Sequence, residues 1–308
     1  MSQSVLYDAP GPKARRRSLI GSIVGIVLIA ALFWWVIATL AAPRISANDA
    51  VTPGMFDPSR WDVLANPLVW ERFAGGVGAT LMMAGAAAIL AILVGIGFSF
   101  VRTAKSRWIR VPAAIVLEFF RGMPVLLMIF FVFLVFSTGA YWAGVIGLGV
   151  YNGAIIGEAL RAGILSLPKG QREAGLVIGL STTKTRMIIE FPQAFRQMLP
   201  IILAQMVVLL KDTSLAYVVA YDELSRTIQN MQKALGNNYV FTLFIIGLAI
   251  YLALNLSLSW IARVVAKRSG PQAGKLTPED PSAALGAEGT RAITLPVLER
   301  DRPPRRPD

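Results

Sequence analysis

The chain of 308 residues contains no cysteine and no histidine, and only 16% of its residues are charged. Without cysteine there are no disulfides, thiolate nucleophiles, Fe–S clusters or Cys-ligated zinc. Without histidine there is no Ser-His or Cys-His catalysis and no HExxH metal site, so no metal ligand set is read. Soluble domains carry roughly 45–50% apolar and about 25% charged residues. Here 55% are hydrophobic and the mean hydropathy is +0.59, which excludes a soluble enzyme. The net charge of +12 would suit nucleic acid, but the basic residues sit beside long apolar runs. That placement is the positive-inside pattern of a membrane protein. The partner it implies is a lipid bilayer, with no nucleic acid.

Apolar runs of about 20 residues, each enough to cross a ~30 Å hydrocarbon layer, recur along the chain. Residues 1–18 form a polar N-terminus ending in Lys13-Ala14-Arg15-Arg16-Arg17. The run 19–42 exceeds the ~7–15 residues of a signal core, so it reads as an uncleaved first helix. Residues 43–70, broken by Pro53, Pro58 and Pro67, read as an external loop. Further spans are expected at Phe73–Phe100, Val111–Phe136, Ala140–Leu165, Met198–Ala220 and Tyr239–Ile261, with an external amphipathic stretch at Tyr221–Asn238. Six crossings place every basic cluster, and both termini, on the cytoplasmic side of a cell membrane. The fold class is an all-α integral membrane protein with a domain at 71–262, and the proline-rich tail 263–308 reads as disordered.

The segment 166–196 is too long for a helix–helix connector of 2–8 residues. Pro168 suits a first helical turn, and Lys169 to Ile178 reads as helical. Gly179 stands where a left-handed helix stop is wanted, and Ser181 suits the N-cap of a second helix reaching Glu190. Pro192 disfavours helix at Phe191 and predicts a change of direction. The expectation is a capped helix pair on the cytoplasmic face, compact at Ala174 and Gly175. A plainer possibility is a surface loop in which Glu173 only pairs with Lys169 at i,i+4.

The spacing Glu173-Ala174-Gly175, three residues, Gly179, nine residues, Ile189, one residue, Phe191-Pro192 resembles the EAA motif of permease subunits in ATP-binding-cassette (ABC) importers. Gly175 stands for Ala and Phe191 for Leu, each keeping the size class. Resemblance extends over roughly 71–261 to the polar amino-acid uptake branch. It is carried by Glu118-Phe119-Phe120-Arg121-Gly122-Met123-Pro124, Tyr151-Asn152-Gly153 through Glu158, Arg161-Ala162-Gly163-Ile164, Ser166 to Glu173 and Leu210-Lys211-Asp212-Thr213-Ser214-Leu215. The extra first helix and Leu6 to Lys13 look like the second (D-type) permease of a glutamate uptake system. The resemblance implies the type-1 permease fold and a coupling role for Lys169, Gln171, Arg172, Glu173, Ala174, Gly175, Gly179, Ile189 and Pro192. It also implies three partners: a cytoplasmic ATPase dimer, a second permease subunit (identical or a paralogue) and an extracytoplasmic amino-acid-binding protein. ATP and Mg would belong to the ATPase, with no cofactor on this chain.

Six ionisable residues fall within the apolar spans: Glu118, Arg121, Glu158, Arg161, Lys211 and Asp212. Each costs ~2.5–3.5 kcal/mol at mid-bilayer and is expected to face protein or water. At ~1.5 Å per residue Arg121 would lie about 15 Å inside its span and Lys211 about 20 Å inside its own. Glu118/Arg121 and Glu158/Arg161 are i,i+3 pairs. They either neutralise each other and hold helices in register, or offer both signs to a zwitterionic substrate. Asn152, Thr213 and Ser214 are neutral candidates on the same path. Gly122 before Pro124 predicts a weak point in the third span, either a broken helix exposing backbone to ligand or a packing kink.

No G-x4-G-K-[ST] phosphate loop is present, so ATP hydrolysis is assigned to a partner. An ion-coupled secondary transporter is the alternative, but no inverted repeat accompanies it. A Ser214/Lys211 hydrolase pair lacks a nucleophile motif.

Overall fold

A computed structural model describes residues 11–45 and 51–269. The Leu6–Lys13 similarity lies mostly, and the tail beyond residue 269 wholly, outside them. Helix α1 (Pro12–Ala41) is apolar around its whole circumference and buries no residue. Such a helix has no soluble solution, since burial against protein is what normally covers an apolar face. A two-stranded hairpin, β1 (Arg44–Ile45) with β2 (Val51–Thr52), follows it.

Helix α2 (Pro67–Arg102) begins earlier than the expected Phe73, because Asn66 caps it by accepting from the Leu68 N–H and Pro67 occupies the first turn. It packs along α5 (Gly139–Ser166), the most enclosed helix of the molecule. The contact is made by small residues four apart on both helices, Ala87, Ala91 and Gly95 against Gly149, Gly153 and Gly157. A Cβ at Gly157 would lie 3.1 Å from the Gly95 carbonyl oxygen, and one at Gly153 would lie 3.0 Å from that of Ala91. Backbones approach this closely only where side chains are absent, the usual solution for helix pairs in lipid. Met83, Ile129, Leu148, Ile156, Leu160 and Leu209 complete this core.

The expected third span is broken at the weak point expected between Gly122 and Pro124. Residues 107–136 form two helices, α3 (Arg107–Gly122) and α4 (Val125–Phe136), bent by 106°. Pro124 forces Met123 out of the helical region (φ −81°, ψ 131°), and the chain turns there. Hydropathy is continuous through the break, so Gly122 and Pro124 alone mark it in the sequence, without its angle. Among the described residues there are thus five helices long and apolar enough to cross a membrane, or six if the bent pair counts as one span.

Helix α6 (Lys169–Val177) and α7 (Thr182–Thr185) follow α5, and α8 (Phe191–Asp212) packs back on it. A 3-10 segment, Thr213–Val219, leads to α9 (Leu224–Leu235) and α10 (Val240–Ser269). The amphipathic stretch expected at 221–238 is α9, packed on α2 over a second core of Val69, Phe73, Leu224, Met231 and Leu243.

Two buried ionisable residues in this region carry no motif in the sequence. Arg60 donates from Nε and Nη2 to the Pro53 carbonyl and from Nη1 to that of Asn238, tying the 53–65 segment to the start of α10. Glu223 is fully buried and caps α9, accepting from the backbone N–H groups of Ser225 and Arg226 and from the Tyr251 hydroxyl. Burial raises the Glu223 carboxyl above its ordinary value of 4.5, against the opposing pull of those donors. A carboxyl raised in the folded state contributes stability that is present at low pH and is lost as pH rises through the raised value. The thermal midpoint in detergent is expected to fall with rising pH above 4.5 and to be less pH-dependent over that interval in Glu223→Gln. Equal slopes would contradict it.

Candidate functional site: a capped hairpin at one end of the bundle and a polar seam above it

The segment between α5 and α8 is a helical hairpin whose caps follow from its sequence. At the end of α6 the Gly179 N–H bonds to the Leu176 carbonyl and the Leu180 N–H to that of Gly175, with Gly179 at φ +85°. This six-to-one closure requires a left-handed residue, which glycine adopts at no steric cost. Ser181 then caps α7 by accepting from the Lys184 N–H at 3.4 Å, while Thr185 is buried and bonds back to the Ser181 carbonyl.

Gly175 is the packing point. A Cβ there would stand 2.5 Å from Thr185 Cγ2 and 3.0 Å from Ile189 Cδ1. A second tie comes from Gln193, which donates to the Gln171 side chain at 3.1 Å and to the Ile189 carbonyl at 3.0 Å. No motif marks Gln193. Glu173 and Lys169 do not form the simple i,i+4 pair; both are exposed, with no ion-pair partner among the described residues. Ala174 is exposed as well. The tip is apolar, with Val177 85% and Ile178 73% exposed beside Leu176.

The direction change expected at Pro192 does not occur. Residues 182–219 run as one continuous helical stretch. Residues Arg186–Glu190 form a π-turn, in which the Phe191 N–H bonds five residues back to Arg186. Pro192 then falls in the first turn of α8, where no donor is needed. π-Turns of this kind are rare and concentrate at functional positions. Phe191 anchors the junction to the end of α2 by a ring contact with Phe100 at 5.0 Å. The hairpin thus continues into α5 and α8 and touches α2 at its base.

Above the hairpin lies a polar seam. Glu158 and Arg161 form a two-pronged pair at 2.8 and 2.5 Å, and Arg102 from α2 reaches Glu158 at 3.5 Å. In the sequence Arg102 reads only as a flanking basic residue. Asn152 is fully buried, donating to the Leu148 carbonyl and accepting from Gln205 at 2.7 Å, which joins α5 to α8. Gln205 sits among apolar neighbours in sequence, with no pattern to single it out.

The other candidates fall elsewhere. Glu118 and Arg121 pair at 3.0 Å on the open surface of α3, with side chains 58% and 36% exposed. Arg121 lies in the last turn of α3, directly before the 106° bend to α4. Thr213 and Ser214 bond to the carbonyls of Leu210 and Lys211 in their own helix. Lys211 is exposed and Asp212 half-buried. Lys211 and Ser214 face a separate cavity of about 510 Å³ shared with Ser225, Gln229 and Tyr251.

Comparison with known proteins specifies the class of this helical bundle with its capped hairpin. The family model for the binding-protein-dependent transport system inner membrane component matches residues 87–270. The chain belongs to that family. It is 38% identical over 219 residues to the glutamate transport system permease protein GluD of Corynebacterium glutamicum, covering 68% of this chain and 79% of that one. It is 30% identical over 224 residues to the L-cystine transport system permease protein TcyB of Bacillus subtilis, covering 71% and 94%. A solved amino acid ABC transporter, described as with histidines, superposes with TM-score 0.60 at 25% identity, covering 67% of this chain and 97% of that one. An inward-facing MetNI methionine ABC transporter shares the fold at TM-score 0.53 and 15% identity, covering 65% and 98%. The fold is that of a type-1 importer permease and the chain is an amino-acid ABC permease subunit, a translocation component and not a catalytic one.

Proposed function

We propose that this chain is a transmembrane subunit of an ATP-driven importer of a polar amino acid, with L-glutamate the leading candidate. The observation that carries the reading is the α6 hairpin. It is rigid through both caps, rooted in α5 and α8, and its exposed apolar tip has nothing to cover it within the described residues. A cytoplasmic ATPase dimer would cover that tip, and its closure on ATP would press through Gly175 and Ile189 on the base of α8.

In this reading the hairpin and both termini face the cytoplasm, as the basic clusters demand. A binding protein delivers substrate at the opposite end. ATP and Mg stay in the ATPase. A second permease, identical or a paralogue, completes the path, and the Glu118–Arg121 pair would line it only when faced by that second subunit. Glu158, Arg161 and Asn152 in the seam, and the Lys211–Ser214 turn at its own cavity, would offer the mixed charge and hydrogen bonds a zwitterion needs at two separate points of the path, with Asn152 first leaving Gln205. Glutamate rests on the similarity to a glutamate permease; glutamine, cystine and arginine appear among the names of other relatives.

Reconstitution tests this. Proteoliposomes holding the chain, its sister permease and the ATPase should accumulate labelled glutamate only when binding protein and ATP are both supplied. Accumulation by the chain alone on a sodium or proton gradient would replace this reading with a secondary transporter.

A further inference from the structure

At the hairpin end of the bundle, a cavity of about 540 Å³ opens between the end of α2, the start of α3, the end of α5 and α6. Seven of its lining side chains are cationic and one, Glu190, is acidic. Three of the cations are already engaged, Arg102 and Arg161 with Glu158 and Arg186 with Glu190. The other four, Lys105, Arg110, Lys169 and Arg172, have no ion-pair partner among the described residues. Arg102 is also under-satisfied, because its link to Glu158 is long at 3.5 Å and its buried Nε has no hydrogen-bond partner. Like charges lining one cavity repel one another unless an anion joins them.

Apart from Thr103 the remainder of the lining is apolar, including Ile164, Leu165 and Leu167. Beside it, α3 presents a mixed face. Trp108 is 90% exposed, with Ile109, Val111 and Ile115 also exposed, while Arg107 and Arg110 flank them. A helix carrying aromatic, aliphatic and basic residues together suits the interfacial layer of a bilayer, where an indole ring anchors. A cavity lined by cations and by aliphatic side chains, next to such a helix, matches a phosphodiester headgroup with the first methylenes of its chains.

We infer that this cavity binds the headgroup of an anionic phospholipid from the inner leaflet, clamping the end of α2 to α6. The placement in the inner leaflet rests on the orientation proposed above. Lipid there would hold α3 and the hairpin together at the level where the ATPase is proposed to dock. Uptake would then depend on the anionic lipid content of the membrane.

Native mass spectrometry of the full-length chain, titrated with phosphatidylglycerol or phosphatidylcholine, tests the lipid site. Each surface cation is worth about fivefold in anionic-lipid affinity, so Lys105→Gln with Arg110→Gln should lower phosphatidylglycerol retention by about 25-fold. The charge-conserving pair Lys105→Arg with Arg110→Lys should keep it, as should Arg263→Gln with Lys267→Gln on α10. Elution of each variant as a single species in size exclusion shows that it is folded. Equal retention of both lipids by the wild type, or undiminished retention in the glutamine pair, overturns the site. Displacement of the lipid by millimolar inorganic phosphate would assign the cavity to a free anion and overturn the lipid assignment. Lys105→Cys, introduced into this cysteine-free chain, should react with a membrane-impermeant maleimide only from the cytoplasmic side. Reaction from outside would overturn the orientation and the inner-leaflet placement together, whereas loss of lipid preference with labelling from inside overturns the lipid site alone.

Discussion

Glu173→Arg is expected to abolish ATP-driven uptake while the protein remains in the membrane at wild-type levels. Glu173 is exposed, makes no ion pair among the described residues and stands on the solvent side of α6. Reversing its charge therefore disturbs nothing inside the chain, and surface changes of that kind usually shift stability by less than ~0.5 kcal/mol. Loss of uptake would place its role in contact with a partner. Gly175→Val attacks the same element from its inner side. Its added carbons meet Thr185 and Ile189, where a single Cβ already stands 2.5 Å from Thr185 Cγ2. Overpacking of this sort costs ~1–3 kcal/mol, so the hairpin should splay from α7 and lose its rigidity. Uptake assays paired with membrane-fraction immunoblots would check both. Retained uptake in Glu173→Arg would leave α6 without the coupling role.

The second large effect is expected at Glu158, which holds two arginines from different helices. Glu158→Gln leaves Arg102 and Arg161 facing each other, 15% and 26% exposed, without their counter-charge. Removing one partner of a largely buried ion pair is strongly destabilising, and with this partial exposure a loss of ~2–4 kcal/mol is expected. Thermal unfolding in detergent, read by tryptophan fluorescence, would measure it. The double variant Glu158→Gln with Arg161→Gln removes one stranded cation and should recover most of that stability. If the pair serves register alone, uptake returns with stability. If it meets substrate, the double variant stays folded yet shows a KM raised by an order of magnitude or more, since each charge-assisted hydrogen bond lost is worth ~1.5–3 kcal/mol.

The legibility of this molecule in its sequence varies with the kind of signal. Caps are local, so Gly179 and Ser181 can be assigned from spacing alone, and α6 ends where they require. Spans are set by length and apolarity, and α1, α2, α5 and α10 follow. The bend between α3 and α4 cannot be placed as an angle because hydropathy is continuous through Met123 and Pro124, and only the backbone restriction of a residue before proline breaks it. Pro192 misleads for the opposite reason. A π-turn five residues long, invisible to any periodicity count, supplies it with a first-turn position.

The polar partners that no motif marks are the least visible. Gln205, Arg102, Arg60, Gln193 and Glu223 each act through a residue distant in sequence or through backbone carbonyls and amides. Side-chain type gives no warning of this when the surroundings in sequence are apolar. The signal that finds Glu223 is local, an acidic residue directly before an amphipathic run, where helices take an N-cap. For Gln205 the only hint is an amide in the middle of a span, where an unpaired polar group is costly.

The absence of cysteine allows the central claim to be tested at one atom. A single Val177→Cys at the exposed tip of α6, carrying a short photo-crosslinker, should yield one covalent adduct with the ATPase in assembled transporter, reduced when nucleotide is removed or when a competing hairpin peptide is present. An active transporter whose introduced thiol never joins the ATPase, or is labelled from the cell exterior, would contradict it.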